Sequence, residues 1–233
     1  MRAAELDPGR AALISLSASL AILSSAAACV LLQDVVPSAP GPAYALFPYG
    51  DELVAIGLTG GVVPLLVSLA IVAVWAGRRD GWAGVSPFRS RWYWLGVAAV
   101  ALGITAFFSA SHALYGGLGL SKTWAFWLVL FGCVAGVGYW GLRGRLLGLV
   151  AGTAECYVMG TVAVFGSDLI RTLAGLARAP GAAAVWGGGG LLDILFWFGL
   201  YMAISFAAFR GFLAMVSGAA RALLARLGSG PAN

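Results

Sequence analysis

Apolar residues in this chain fall in long unbroken runs, and polar residues collect in the short intervals between them. Six runs stand out, at residues 11–33, 53–77, 92–115, 123–142, 146–167 and 191–213. Each reaches the roughly 20 residues that a helix needs to cross a ~30 Å hydrocarbon layer. Lipid offers no partner to an open strand edge, so runs of this kind are expected to be α-helices. The pattern predicts an all-α, polytopic integral membrane helix bundle forming one transmembrane domain over residues 1–233.

The intervals complete the expectation. Residues 34–50, DVVPSAPGPAYALFPYG, are rich in proline and carry Tyr44, Phe47 and Tyr49, which predicts a stiff outer loop whose aromatics sit at the interface. Residues 168–179 set Leu169, Ile170, Leu173 and Leu176 on one face against Arg171 and Arg178, as an amphipathic helix on the outer surface or an extension of the fifth span would. Residues 214–233 form a basic tail. Within it, Val216, Ala220, Leu223 and Leu227 continue a stripe from Phe212, while Arg221 and Arg226 are placed to meet anionic headgroups.

Composition agrees with this reading. Apolar residues make up 61% and charged residues 10% of the 233 positions, too extreme a balance for a water-soluble core. The net charge of +5 does not point to nucleic acid, because the basic residues alternate by interval instead of gathering on one patch. Of fourteen Lys and Arg, all but Lys122, Arg171 and Arg178 fall on one side of the six-span arrangement, so both termini are expected in the cytoplasm of a prokaryotic cell. Most tryptophans flank predicted span ends as an aromatic belt, Trp197 being inside a span. Cys29, Cys133 and Cys156 are odd in number and lie in apolar segments, which argues against a disulfide framework or a zinc site. No cofactor or metal is expected.

Ionisable residues inside the runs are the candidate chemistry. Glu155 lies nine residues into the fifth predicted span, or about 14 Å, near the middle of the layer. A carboxylate at that depth costs about 2.5–3.5 kcal/mol on insertion scales, so it should face protein or water. Gly144, Gly148, Gly152, Cys156 and Gly160 recur every fourth residue on the same span, a small-residue ladder for close helix packing. Counting the rise along each span places Tyr201 and Thr105 nearest to Glu155 as hydroxyl partners. Asp193 follows four glycines at the start of the sixth span, His112 is the single histidine near the outer end of the third, and Asp168 lies on the same side. These three are candidates for an outer entrance, although a helix-terminus role for Asp193 and an interfacial role for His112 are the favoured accounts of those two.

Three function classes follow. A transport or channel protein moving an ion, proton or small solute would use Glu155 in a path flanked by the second, fifth and sixth spans. A non-catalytic subunit of a larger membrane complex would need only lipid-facing and partner-facing surfaces, with homo-oligomers or other membrane subunits as partners. A lipid-modifying enzyme ranks third, because no paired acids, nucleophile-base set or metal cluster can be assembled.

Overall fold

The computed structural model describes residues 8–32, 43–49, 52–77, 88, 90–115, 120–143, 149–174, 184–186 and 194–228. Helices dominate: α1 (Pro8–Leu32), α2 (Val63–Gly77), α3 (Arg91–Tyr115), α4 (Leu120–Arg143), α5 (Leu149–Leu173) and α6 (Ile194–Gly228). Among the described residues, three segments are long and apolar enough to cross a membrane, Leu58–Trp75, Leu149–Leu173 and Trp197–Ala225. Shorter apolar stretches lie in α1, α3 and α4.

The molecule is apolar on the outside and polar at selected points within. Leu13, Leu66, Leu69, Leu95, Val134 and Val150, spread over five helices, are each 56–65% exposed. Glu155, Thr161, Ser167 and Ser205 are each no more than 4% exposed. Water would penalise so large an apolar exterior at about 25 cal/mol per Å², whereas hydrocarbon does not. This distribution suits a membrane helix bundle.

Helix directions can be read from paired residues. Tyr93 contacts Glu155 and Thr105 contacts Ser167, both at a separation of 62 residues, so α3 and α5 run parallel and in constant register over about 18 Å. Against α6, α5 runs antiparallel: Gly152 faces Phe206 and Gly160 faces Gly199. Gly132 and Gly136 of α4 face Tyr201 and Met202, and Trp140 meets Phe209 edge-on, which makes α4 and α6 parallel. A Cβ on Gly211 would lie 2.7 Å from the Ala11 carbonyl oxygen, so α1 presses directly on the α6 backbone.

The second apolar run departs from expectation. Instead of one helix over 53–77, it begins as strand β2 (Glu52–Gly57), passes through a π-helical turn at Leu58–Val62, and becomes α-helical only at Val63. Strand β1 (Ala43–Tyr49) pairs antiparallel with β2 from Ala43↔Gly57 to Tyr49↔Glu52, with an irregularity between Ala45 and Phe47. A short strand β3 (Ala184–Trp186) adds parallel to the other edge, Ile56 opposite Trp186. An all-α fold is therefore corrected to a helix bundle carrying a three-stranded sheet. Part of the proline-rich 34–50 segment is strand; residues 34–42 lie outside the described residues.

Burial explains why this sheet is tolerated beside apolar helices. Val54 is fully buried, and Ile56 and Trp186 are 7% and 5% exposed, all packed with Val62, Leu65, Phe165 and Leu169. Gly61 allows the turn to close, since a Cβ there would come 2.6 Å from the Ile56 side chain and 3.0 Å from the Trp186 carbonyl oxygen.

Two further expectations gain detail. Residues 168–173 continue α5 without a break, as in the alternative of an extended fifth span; Ala174 is a turn, and 175–179 lie outside the described residues. Residues 214–228 likewise continue α6, whose 35 residues measure about 52 Å, well beyond a ~30 Å layer.

Candidate functional site

Glu155 is 2% exposed and held by two tyrosines from different helices. The Tyr139 hydroxyl on α4 donates to Glu155 Oε2. Tyr93 on α3 donates to the Glu155 main-chain carbonyl at 2.9 Å. These phenols are themselves 6% and 2% exposed, and the Tyr139 and Tyr93 rings lie against Phe206 and Phe88. An isolated carboxyl group in such surroundings would lose several kcal/mol of hydration, and the phenol hydrogen bond returns part of it.

Local sequence builds this arrangement. Tyr139 is four residues before the end of α4 and Glu155 six after the start of α5, so an antiparallel hairpin brings them together. Glu155 therefore sits about 9 Å from the first described residue of α5, halfway between that helix end and the helix midpoint. Tyr93, two residues into α3, reaches the same level through the parallel α3–α5 register. Residue counting along each span misses both tyrosines; the short α4–α5 connection is the sequence signal for Tyr139, and no local signal marks Tyr93.

The other expected site residues divide among separate places. Thr105 Oγ1 donates to the Ala101 carbonyl at 2.9 Å and lies 3.0 Å from Ser167 Oγ, a hydroxyl pair twelve residues, or about 18 Å, along α5 from Glu155. Tyr201 is fully buried, stacked with Trp197 at 5.9 Å and pressed against Gly132. Asp168 lies near the far end of α5, part-buried, and its carbonyl accepts from Thr172 Oγ1 at 2.8 Å. Thirteen residues separate Asp168 from Glu155, which sets them about 140° apart around α5. His112 is in α3 close to Tyr115, and Asp193 lies outside the described residues.

Of the glycine ladder, Gly152 and Gly160 are described, and Gly144 and Gly148 lie outside the described residues. A side chain on Gly152 would occupy the place of the Phe206 ring, while a Cβ on Gly160 would lie 2.7 Å from Gly199 Cα. Both contacts are with α6, so the ladder faces α6 while Glu155 faces α3 and α4.

Among the described residues, the buried Ser68 Oγ and Trp140 Nε1 have no hydrogen-bond partner, whereas the Thr161 and Ser205 side chains interact with Tyr157 and Cys133. Trp186 Nε1, by contrast, donates to Thr172 Oγ1 at 2.9 Å and ties the sheet to α5. Among the described residues, no group of three or more His, Cys, Asp or Glu converges as metal ligands would. No protein-family model matches this sequence, and neither the curated proteins nor the solved structures provide a significant match.

Proposed function

We propose that this chain is a multi-pass transport or channel protein of a prokaryotic cytoplasmic membrane, with six crossings and both termini inside, moving an ion, proton or small solute. The observation that carries the reading is Glu155, a carboxyl group 2% exposed in an apolar bundle and bonded through Oε2 to a phenol from a neighbouring helix. Ionisable groups at such depth are costly and serve most often as proton or ion sites. The strand-to-π-helix interruption at Gly57–Val62, with Gly60 and Gly61 buried, adds support, because broken spans and π turns concentrate where a path crosses the membrane. The test is proton flux in proteoliposomes with Glu155→Gln: loss of flux sustains the reading, and unchanged flux removes Glu155 from the mechanism.

A second reading, a subunit of a larger membrane complex, is favoured by one specific feature. The end of α6 presents Phe212, Val216, Leu223 and Leu227 at 45–71% exposure along one face, on a helix too long for the bilayer alone. Mild purification distinguishes the two, since stoichiometric partner subunits favour the second and an isolated oligomer the first.

A further inference from the structure

Two acceptor oxygens of Glu155 are already engaged by hydroxyl donors. The Tyr139 phenol donates to Oε2, and the Tyr93 phenol donates to the main-chain carbonyl at 2.9 Å. Each O–H sets its hydrogen on an oxygen that a bound metal ion would need as a ligand. Both phenols belong to the packed interior, with Phe206 against the Tyr139 ring and Phe88 edge-on to the Tyr93 ring.

The surroundings of these bonds are poor in oxygen. Phe88, Cys156, Met159 and Phe206 join Tyr93 and Tyr139 in one buried apolar cluster. The seam to α6 is closed, because a side chain on Gly152, three residues before Glu155, would overlap the Phe206 ring. Among the described residues, no group of three or more His, Cys, Asp or Glu gathers as a metal site would require.

The fixed charge nearest this level is basic. Arg91 of α3 stands two residues before Tyr93. The half-buried Arg210 of α6 lies one turn past Phe206, and the exposed Arg10 of α1 adjoins the Ala11–Gly211 contact beside it. With Cys156 and the two phenols, these are the ionisable groups that the described parts of the helices bring near the carboxyl group.

A metal cation entering here would exchange its hydration shell for one carboxyl group whose Oε2 is capped, in a setting of basic charge. Hard cations are held by about six or more oxygens, and channel filters supply a matching ring of them. A proton needs one oxygen lone pair and no cavity. The step balances with water alone: an O–H bond forms on the Glu155 carboxylate as one breaks on hydronium, and release to water reverses it. The nearby guanidinium groups offset the carboxylate charge while the proton is absent.

We propose that the Glu155 site, capped by Tyr139 and Tyr93, takes up and passes protons and excludes metal cations. The proposal rests on the transport reading and narrows its substrate to the proton.

The test uses proteoliposomes holding the full chain, given equal inward gradients of H⁺, Na⁺ or K⁺ and read with entrapped dyes for pH, Na⁺ and K⁺. Proton entry is expected above the protein-free rate and is lost in Glu155→Gln, while Na⁺ and K⁺ entry stay at the protein-free rate. Selectivity is read on the unmodified chain, so it does not depend on how any variant folds. Na⁺ or K⁺ entry above the protein-free rate overturns the proposal; if Glu155→Gln abolishes that entry, the transport reading stands with a metal cation as substrate. Proton entry that persists in a Glu155→Gln chain of unchanged melting temperature also overturns it. If none of the three ions enters, the proposal and ion transport fall together.

Discussion

Gly160→Ala is the sharpest probe of the bundle. The added methyl would lie 2.7 Å from Gly199 Cα, 3.1 Å from Gly199 N and 3.0 Å from Met202 Sδ. Carbon atoms pack at about 3.5–4.0 Å, so the methyl requires α5 and α6 to separate by about 1 Å, and two of the three obstructing atoms are backbone. Overpacking of this kind costs about 1–3 kcal/mol. Gly138→Ala supplies the control, because nothing lies within 4 Å of a Cβ there and the exchange should stabilise α4 by about 0.5–1 kcal/mol. Thermal unfolding of both variants in the same detergent would register the difference. At about 2–4 °C per kcal/mol for a chain of this size, Gly160→Ala should melt roughly 2–12 °C below the unmodified protein and Gly138→Ala slightly above it. Equal or higher stability of Gly160→Ala would refute the α5–α6 contact.

Three more expectations follow from individual contacts. Tyr139→Phe strips the donor from Glu155 Oε2 and should destabilise the chain by about 1–3 kcal/mol; combined with Glu155→Leu the loss should be less than additive, as a double-mutant cycle in detergent will show. Trp186→Phe removes the 2.9 Å bond to Thr172, and amide exchange in Val54–Ile56 should accelerate as the sheet loosens. Replacing Leu223 and Leu227 by Ser should leave the bundle's melting temperature within about 1 °C, since both are exposed, while reducing association with membranes or partner subunits.

The hydrophobic pattern made most of the helices legible. Runs at 92–115, 123–142 and 146–167 coincide closely with α3, α4 and α5, because long charge-free segments leave little alternative to helix. The second run departs from helix at its start because Val54–Gly57 is buried, and a short continuous apolar stretch reads alike as buried strand and as helix. Its partners, β1 and the distant β3, cannot be seen in local pattern.

Glu155 itself was legible from the cost of its position, but its surroundings were not. Distance along a span says nothing about azimuth, and depth alone points to Tyr201 and Thr105. The offset of 62 residues that sets α3 against α5 is a tertiary fact, and it places Thr105 beside Ser167 and Tyr93 beside Glu155. The same azimuthal argument separates Asp168 from Glu155, two residues that one helix carries to different sides.

Proton flux into proteoliposomes, driven by an imposed potential and read with an entrapped pH dye, tests the central claim most directly. The unmodified chain should conduct well above protein-free vesicles and Glu155→Gln should fall to their level, with both proteins folded and inserted equally. Equal flux through the two would contradict the role assigned to Glu155.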